Sequence, residues 1–350
     1  MKAVVFYKPG ETRLESIKDP SPGPDDILIE VRSAGICPTD IRIMKYSKKG
    51  VVPPRVLGHE FSGVVKEVGR NVRDFSPSDR VVASPDAPCM VCDVCKRGRH
   101  ALCENSLIIG YNIDGAYAEY MLIPKEFIER RLVYRFGEDV SFDSAALTEP
   151  VASCLEAVDY VDEVKRFTAR DVLIIGDGPN ATILAMLSKI YGAMKVVMMG
   201  KTEHRLRKVK ELVADEVIDV KEGNPVEKAL KLTKGKGFDI VFATVAVPDA
   251  IMNGVKSAAK EGVIHIFGGA APGTIIELDP NLVHYRWLHI TGTSSYSLST
   301  FTKAYNLIMN KRLNLDPLIS HRFSLNEWNK AIEYAEKWLG FKIVIHPHTQ

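Results

Sequence analysis

A strand, a glycine-rich turn and a helix follow one another in the middle of the chain. The stretch reads Val172-Leu173-Ile174-Ile175-Gly176-Asp177-Gly178-Pro179-Asn180-Ala181 and continues with apolar residues at helical spacing. In such a stretch the first glycine permits a tight bend, the second lets a pyrophosphate approach the backbone, and the helix N-terminus favours the anion. An ordinary glycine turn is the alternative, but the order of strand, turn and helix favours a dinucleotide site that includes Gly176, Gly178, Pro179 and Asn180.

Buried-type strands and helical patterns alternate on the C-terminal side of this turn. This rhythm is typical of βαβ units around a parallel sheet. Six strands, as in a dinucleotide-binding sheet, are predicted at residues 172–175, 195–199, 216–220, 239–244, 263–267 and 288–292.

The first part of the chain has a different pattern. Short β-branched runs such as residues 27–31 and 64–68 are separated by Pro and Gly clusters, which predicts a mostly β domain. After Ser299 the pattern predicts a helix, an extended segment at residues 317–319, an amphipathic helix and a strand at residues 341–345. We therefore predict an α/β protein with a mostly β domain of residues 1–152, a dinucleotide-binding domain of residues 153–297, and a return of residues 298–350 to the first domain.

Composition excludes several classes of protein. The chain has 350 residues, 46% of them hydrophobic and 26% charged, with a net charge of +2. This balance is that of a globular protein, and it provides no chain-wide basic field for nucleic acid or anionic lipid. No apolar run reaches the roughly 18 residues of a membrane span, and the N-terminus lacks a signal-peptide pattern. We expect a cytoplasmic protein without a nucleic-acid or membrane partner.

Four cysteines lie within fifteen residues, at Cys89, Cys92, Cys95 and Cys103. Thiolates at this spacing can surround one Zn²⁺ tetrahedrally and leave no coordination position open, which predicts a structural zinc site. Free or disulfide-linked cysteines are one alternative. A zinc ribbon that binds nucleic acid is another, although the basic residues beside the cysteines form only one small patch.

A second group of candidate metal ligands is spread along the first domain. Cys37 lies in Gly35-Ile36-Cys37-Pro38-Thr39-Asp40, His59 and Glu60 lie in a Gly-His-Glu sequence, and Glu149 precedes the change of domain. Thiolate and imidazole together suit zinc. Taken alone, a cysteine and a Gly-His-Glu turn are more often core residues, so the prediction rests on their combination with the other motifs.

These motifs, in this order, resemble the zinc-dependent medium-chain dehydrogenase/reductase family over nearly the whole chain. Further matching stretches are Gly58-His59-Glu60-Phe61-Ser62-Gly63, Asp114-Gly115-Ala116-Tyr117-Ala118-Glu119-Tyr120 and Pro317-Leu318-Ile319-Ser320-His321-Arg322-Phe323. The resemblance implies a GroES-like catalytic domain and a Rossmann domain. Glu149 followed by Pro150 is similar to the sorbitol and polyol dehydrogenase branch.

The resemblance also implies roles for single residues. A catalytic zinc would be held by Cys37, His59 and, directly or through water, Glu149, and Glu60 would orient the site or exchange onto the metal. Thr39 stands where the family uses a hydroxyl to pass on the proton of the alcohol. The sequence departs from the family at three positions: Pro38 and Ser78 replace common glycines, and Arg42 replaces a frequent histidine of the proton relay.

The residues after the predicted second strand favour NADP over NAD. NAD sites usually place Asp or Glu about 20 residues beyond the glycine turn, where the carboxylate holds the ribose 2′-hydroxyl. Here the strand ends at Gly200, which leaves room for a 2′-phosphate, and Lys201, Thr202 and Arg205 can bind it. The alternative is that Glu203 holds the ribose or that the basic residues form a solvated helix face.

The predicted activity is therefore zinc-dependent hydride transfer between a secondary alcohol or polyol and NADP(H), with two zinc ions per chain and a dimeric or tetrameric assembly. Polar residues that suit a substrate with several hydroxyls are Thr39, Tyr111, Asn112, Ser295 and Tyr296. The alternatives are an NADPH-dependent aldehyde reductase of the same family, disfavoured because residue 149 is not cysteine, and a non-catalytic zinc-ribbon protein.

Overall fold

The computed structural model describes residues 1–349. Its strands are β1 (Lys2–Lys8), β2 (Glu11–Ser16), β3 (Ile27–Gly35), β4 (Arg55–Val56), β5 (Glu60–Val68), β6 (Arg80–Ala83), β7 (Asp86–Ala87), β8 (Leu107–Ile108), β9 (Tyr120–Ile123), β10 (Val133–Arg135), β11 (Asp171–Ile175), β12 (Lys195–Gly200), β13 (Glu216–Asp219), β14 (Phe238–Ala243), β15 (Ala258–Ile266), β16 (His289–Gly292), β17 (Ile319–Phe323) and β18 (Lys342–Ile345).

The α-helices are α1 (Pro38–Tyr46), α2 (Asp93–Lys96), α3 (Lys125–Glu129), α4 (Phe142–Ala146), α5 (Thr148–Val164), α6 (Pro179–Ile190), α7 (Glu203–Leu212), α8 (Pro225–Leu232), α9 (Pro248–Ser257), α10 (Pro280–Arg286), α11 (Leu298–Met309) and α12 (Trp328–Glu336). Short 3₁₀ turns lie at His100–Leu102, Asp316–Leu318 and Leu325–Glu327. Within the described residues no helix has the length and apolar character needed to cross a lipid bilayer.

The chain forms two compact units. The first contains Met1–Ala152 and the described residues from Ser297 onward, and the second is Ser153–Tyr296. The main sheet of the first unit has the order β10-β6-β5-β3-β18-β17, with β9 also paired to β3. Its apolar faces enclose a core that includes Phe6, Phe61 and Tyr117. This is the predicted mostly β, GroES-like architecture.

The second unit is built on a parallel sheet. Over the described residues its strand order is β13-β12-β11-β14-β15-β16, and all neighbouring pairs are parallel. The predicted Rossmann sheet is thereby confirmed. β11 lies at the point where the strand order reverses, and in open α/β sheets the carboxyl ends of the strands at this point form the usual ligand site.

Two elements differ from the predictions. β15 begins at Ala258 rather than Val263, and Pro317 and Leu318 form a 3₁₀ turn rather than an extended segment. Proline fits this turn because its fixed φ is within the 3₁₀ range. β17 begins immediately afterwards at Ile319 and pairs in parallel with β18.

Candidate metal centres and dinucleotide site

The antiparallel pairing of β3 with β5 brings two distant stretches of sequence together. β3 ends at Gly35, which lies opposite Glu60, the first residue of β5. Cys37 follows β3 by two residues and His59 precedes β5 by one, so both lie at the same end of the sheet. The donor atoms of Cys37, His59 and Glu60 lie within 4.8 Å of one another, and all three residues are buried.

Cys37 is held by the start of α1. It is the N-cap residue, and its sulfur accepts a hydrogen bond from the backbone N–H of Thr39 at 3.4 Å. Asp40 completes the cap because its Oδ2 accepts from the backbone N–H of Cys37 at 3.3 Å. Pro38 occupies the first helical position, where a missing N–H costs nothing. The departure from glycine at this position is therefore compatible with a well-formed helix start.

A buried carboxylate fixes the imidazole of His59. Asp40 Oδ1 lies 3.0 Å from His59 Nδ1, and its Oδ2 accepts a hydrogen bond from the Tyr117 hydroxyl at 2.7 Å. With the proton on Nδ1 donated to Asp40, Nε2 keeps its lone pair for a metal. Burial alone lowers the pKa of His59, but the negative charges of Asp40 and Cys37 outweigh it and raise this pKa well above its ordinary value.

Glu60 is paired with a lysine from the far end of the sequence. Lys342, in β18, is almost completely buried, and its ammonium group contacts Glu60 Oε2 and donates to the carbonyl of Ile36 at 3.2 Å. β18 reaches this position because Val344 lies opposite Gly35. Gly35 is itself required here, since a Cβ would lie 2.0 Å from Glu60 Oε2.

Glu149 lies at the start of α5 and is partly buried. Burial raises its pKa to about 7, whereas the charge of His59 lowers it and that of Glu60 raises it further. These effects place Glu149 in the electrostatic neighbourhood of the cluster. The three residues whose donor atoms meet within 4.8 Å are, however, Cys37, His59 and Glu60. The structure thus groups Glu60, one of the two predicted carboxylates, with Cys37 and His59.

Polar side chains lie next to this cluster. Arg42 Nη2 donates to Thr39 Oγ1 at 3.2 Å, and Lys48 Nζ donates to the Tyr111 hydroxyl at 3.0 Å. The Tyr111 ring packs edge-on against the His59 ring, with 6.0 Å between the centroids. Two cations and two hydroxyls are therefore within reach of the candidate metal ligands.

Of the remaining predicted substrate residues, Asn112 belongs to the first unit, and Ser295 and Tyr296 belong to the second. The side-chain amide of Asn112 is used within its own turn, where it accepts from Ile108 N–H at 2.7 Å and donates to the Ser106 carbonyl at 3.0 Å. Ser295, with a φ of 54°, and the buried Tyr296 belong to the second unit. Within the first unit, Thr39 and Tyr111 are predicted residues with contacts beside the cluster.

The four cysteines form a compact group. Cys89 and Cys95 have their sulfurs 4.0 Å apart, and the sulfurs of Cys92 and Cys103 are 3.9 Å apart. All are free thiols. A tetrahedron of sulfurs around Zn²⁺ has an edge of about 3.8 Å, since each Zn–S bond is about 2.3 Å. Backbone N–H groups of Val91 and Cys92 lower the pKa of Cys89 to about 6, which favours the thiolate.

Both groups of residues therefore fit zinc. The four-sulfur group has the spacing of a closed site. The Cys37 group offers sulfur, nitrogen and oxygen donors, and its histidine has the hydrogen-bonded carboxylate that usually accompanies zinc-binding imidazoles. Metal ligands must be deprotonated. Zinc binding by the Cys37 group would therefore release the proton from the ring nitrogen of His59 that faces the metal.

The glycine turn of the second unit has an open side above a helix N-terminus. Gly176 has a φ of +136°, and a Cβ there would lie 2.0 Å from Thr244 Oγ1. Gly178 is the N-cap of α6, with Pro179 at the first helical position. A Cβ on Gly178 would meet nothing nearer than Arg205 Nη1 at 3.9 Å. The Asn180 carbonyl accepts from the buried Cys154 thiol at 3.5 Å. The turn thus fits a pyrophosphate at the helix N-terminus.

The end of β12 carries a contact that the sequence analysis missed. Asp177, between the two glycines of the turn, accepts hydrogen bonds through Oδ2 from the backbone N–H groups of Lys201 at 2.9 Å and Thr202 at 2.8 Å. Its Oδ1 lies 3.8 Å from Arg205 Nη1. A Cβ on Gly200 would lie 2.6 Å from Asp177 Cβ, so the space predicted for a phosphate is filled by this side chain.

Sequence reasoning also missed Asp40, Tyr117 and Lys342. Asp40 could have been found, because it stands three residues after Cys37 at the position of a helix-capping acid. Tyr117 and Lys342 carry no such local signal, since only the strand pairing brings them to the site.

Comparison with known proteins identifies both units. Residues 23–131 match the family described as Alcohol dehydrogenase GroES-like domain, and residues 181–310 match the family described as Zinc-binding dehydrogenase. An L-threonine 3-dehydrogenase of Symbiobacterium thermophilum is 34% identical over 97% of this chain and 95% of its own. A second L-threonine 3-dehydrogenase, from Thermococcus kodakarensis, is 28% identical over 99% of this chain and 98% of its own.

Solved structures agree with these matches. A zinc-binding dehydrogenase of Sinorhizobium meliloti, crystallised with NADP, superposes with a TM-score of 0.91 at 29% identity and 99% coverage of both chains. Galactitol-1-phosphate dehydrogenase of Escherichia coli superposes with a TM-score of 0.86 at 25% identity, covering 99% of this chain and 100% of its own.

Proposed function

The chain belongs to the zinc-dependent medium-chain dehydrogenase family and is an oxidoreductase, and from this premise we propose that it transfers hydride between a secondary alcohol or polyol and NADP(H), giving the ketone. The observation that carries the proposal is the buried cluster of Cys37, His59 and Glu60, whose donor atoms lie within 4.8 Å. Membership of a dehydrogenase family excludes the non-catalytic zinc-ribbon alternative.

In this proposal Cys37 and His59 hold a catalytic zinc, and Glu60 or Glu149 supplies the carboxylate. A zinc ion bound there would act as a Lewis acid that lowers the pKa of the substrate hydroxyl. Asp40 keeps the His59 imidazole in the tautomer that presents Nε2, because it accepts the Nδ1 proton. Tyr117 holds Asp40 in turn through its hydroxyl.

Thr39 is the proposed first acceptor of the substrate proton. Its Oγ1 already accepts a hydrogen bond from Arg42, so one lone pair is used and the other is left for the substrate hydroxyl. Thr39 would pass its own hydroxyl hydrogen on toward the ribose of the bound cofactor, and from there to water. Arg42 cannot take this proton because guanidinium stays charged, and its role is to orient the hydroxyl.

NADP is the favoured cofactor. The described end of β12 lacks the acidic residue typical of NAD sites, and Lys201, Thr202 and Arg205 follow it. A relative that is 29% identical was crystallised with NADP, which supports the same choice. We also propose a second, structural zinc on Cys89, Cys92, Cys95 and Cys103, which gives two zinc ions per chain.

Within the secondary alcohols, a substrate that carries an anionic group is a specific candidate. Arg42 and Lys48 lie beside the cluster, and each can pair with a carboxylate or a phosphate. Relatives are named for L-threonine, a secondary alcohol with a carboxylate, and for galactitol 1-phosphate. Both compounds belong in the substrate panel with neutral polyols and simple secondary alcohols.

The first experiment measures turnover of this panel at alkaline pH with NAD and NADP, together with zinc content. We expect oxidation of a secondary alcohol, reduced at least tenfold in Lys48→Met if the substrate is anionic. Turnover of primary alcohols or aldehydes alone would favour the aldehyde reductase alternative. One zinc ion per chain, instead of two, would contradict the catalytic or the structural assignment.

The second experiment removes the proposed ligands. Cys37→Ala and His59→Ala should lower kcat by more than about 10³-fold, since the Lewis acid is lost, while the second unit still binds 5′-AMP. His284→Ala is the matched control, because this exposed histidine belongs to neither group of candidate metal ligands. Retained turnover in Cys37→Ala or His59→Ala would overturn the assignment of the site. A cytoplasmic location and a homo-oligomer stay predictions, and light scattering tests the second.

A further inference from the structure

Asp177 lies where three hydrogen-bond or charge donors converge. The backbone N–H groups of Lys201 and Thr202 point at its Oδ2, and Arg205 Nη1 is 3.8 Å from its Oδ1. The side chains of Asp177 and Arg205 are only about one-tenth exposed, at 11% and 10%. The carboxylate is thus a largely buried anion held by two N–H groups and one guanidinium.

The same donors are those that a 2′-phosphate would need. A carboxylate and a phosphate monoester both accept hydrogen bonds from backbone N–H groups and pair with guanidinium. One set of donors cannot serve both anions at full strength, and the two negative charges repel each other. The carboxylate of Asp177 therefore competes for these donors with the 2′-phosphate, the group that distinguishes NADP from NAD.

We propose that Asp177 is the residue that limits the preference for NADP, by occupying the Lys201, Thr202 and Arg205 donors in the ligand-free protein. This inference deepens the proposed function and rests on its dinucleotide site. NADP binds only when the carboxylate gives up these donors, whereas NAD leaves them undisturbed. A substitution that removes the charge of Asp177 therefore strengthens binding of the 2′-phosphate, although the new side chain itself makes no contact with the phosphate.

A purely structural role makes a different prediction. Asp177 also accepts the backbone N–H of Thr202, the N-cap residue of α7, and so helps to fix the start of this helix. If capping were its whole function, substitution would lower stability and leave the ratio of the two nucleotide affinities unchanged. The ratio, and not stability, is thus the informative quantity.

The test uses nucleotide fragments that lack nicotinamide, so its readout does not depend on activity. Isothermal titration calorimetry measures the Kd of 2′,5′-ADP and of 5′-AMP for the wild type, Asp177→Asn and Asp215→Asn. We expect Asp177→Asn to shift the ratio of the two Kd values about tenfold toward 2′,5′-ADP, since a like charge is removed from beside the phosphate.

Asp215→Asn is the matched control. Asp215 also accepts a backbone N–H, that of Val196 at 2.6 Å, and contacts the Lys189 ammonium, but at the opposite end of β12. This variant should leave the ratio unchanged. Adding Arg205→Met to Asp177→Asn should remove most of the gain, because the guanidinium is the cation that the phosphate would use.

The outcomes separate the two proposals. An unchanged ratio in both Asp177→Asn and Asp177→Ser overturns the role of Asp177 and leaves the dehydrogenase proposal intact. A wild type that prefers 5′-AMP, with the shift present in Asp177→Asn, contradicts the NADP preference and supports the role of Asp177. Asparagine removes the negative charge but keeps an oxygen for the two N–H groups. Asp177→Ser, measured in the same way, shortens the side chain and withdraws that oxygen as well, so we expect its shift to be at least as large.

Discussion

At the scale of the residue, Ser78 occupies a backbone conformation that favours glycine. It lies in the turn before β6, is exposed, and has a φ of 80°. A residue with a Cβ is strained in this region, whereas glycine is not. We expect Ser78→Gly to raise the free energy of unfolding by about 0.5–1 kcal/mol, measured by urea denaturation. Ser76→Gly, in the same turn without a positive φ, should not stabilise the protein, and equal effects of the two substitutions would contradict this explanation.

The buried pair of Glu60 and Lys342 predicts a much larger effect. Lys342→Met leaves a carboxylate buried without its counter-charge, so we expect a loss of about 3–5 kcal/mol of stability, read from thermal and urea unfolding. The control is Lys337→Met, which removes an exposed lysine paired with Glu333 and should cost less than about 0.5 kcal/mol. Similar losses of stability in the two variants would show that the buried Glu60–Lys342 pair contributes no more than an exposed ion pair.

At the scale of the element, the four-cysteine segment depends on its sulfurs acting together. We expect Cys103→Ser to lower both the melting temperature and the zinc content, since a closed zinc site supports folding. The double variant Cys89→Ser with Cys103→Ser should melt no lower than the more damaging single variant, because the first substitution already abolishes the site. Additive losses would indicate that each thiol acts alone and that no shared ion is present.

The elements also show how far a sequence can be interpreted. The glycine turn and the neighbouring strands β11 and β12 were predictable because residues 172–175 and 196–199 are uninterrupted apolar runs. The start of β15 was not, since Lys260 and the left-handed Glu261, with a φ of 58°, interrupt the apolar pattern after Ala258 and Ala259. At the candidate metal centre, Cys37 and His59 could be predicted because each lies in a recognisable sequence motif. Lys342 and the contact of Asp177 with the end of β12 depend on strand pairing, which no local pattern contains.

At the scale of the whole molecule, acid should weaken the second unit through one histidine. His265 is completely buried, and its ring nitrogens lie 2.9 Å from Thr291 Oγ1 and 3.1 Å from Thr293 Oγ1. Burial lowers its pKa to about 4. The unfolded chain, with an ordinary pKa of about 6.5, therefore binds more protons between these values, and stability falls as pH falls through this window.

We expect His265→Gln to flatten this pH dependence, by up to about 3 kcal/mol between pH 7 and pH 4, in urea unfolding curves measured at a series of pH values. His284→Gln, which changes an exposed histidine of the same unit, should leave the slope as in the wild type. If the free energy of unfolding of His265→Gln depended on pH as steeply as that of the wild type, groups other than His265 would be responsible for the acid sensitivity.

The pairing of β18 with β3 has a consequence for synthesis on the ribosome. The second unit is contiguous in sequence and can fold as soon as Tyr296 has left the exit tunnel. The first unit must wait, since Val344 and Ile345 close its sheet against Gly35 and Ala34. Until then the nascent chain carries Glu60 without Lys342, so the thiol and imidazole of the candidate zinc site are made early but enclosed last.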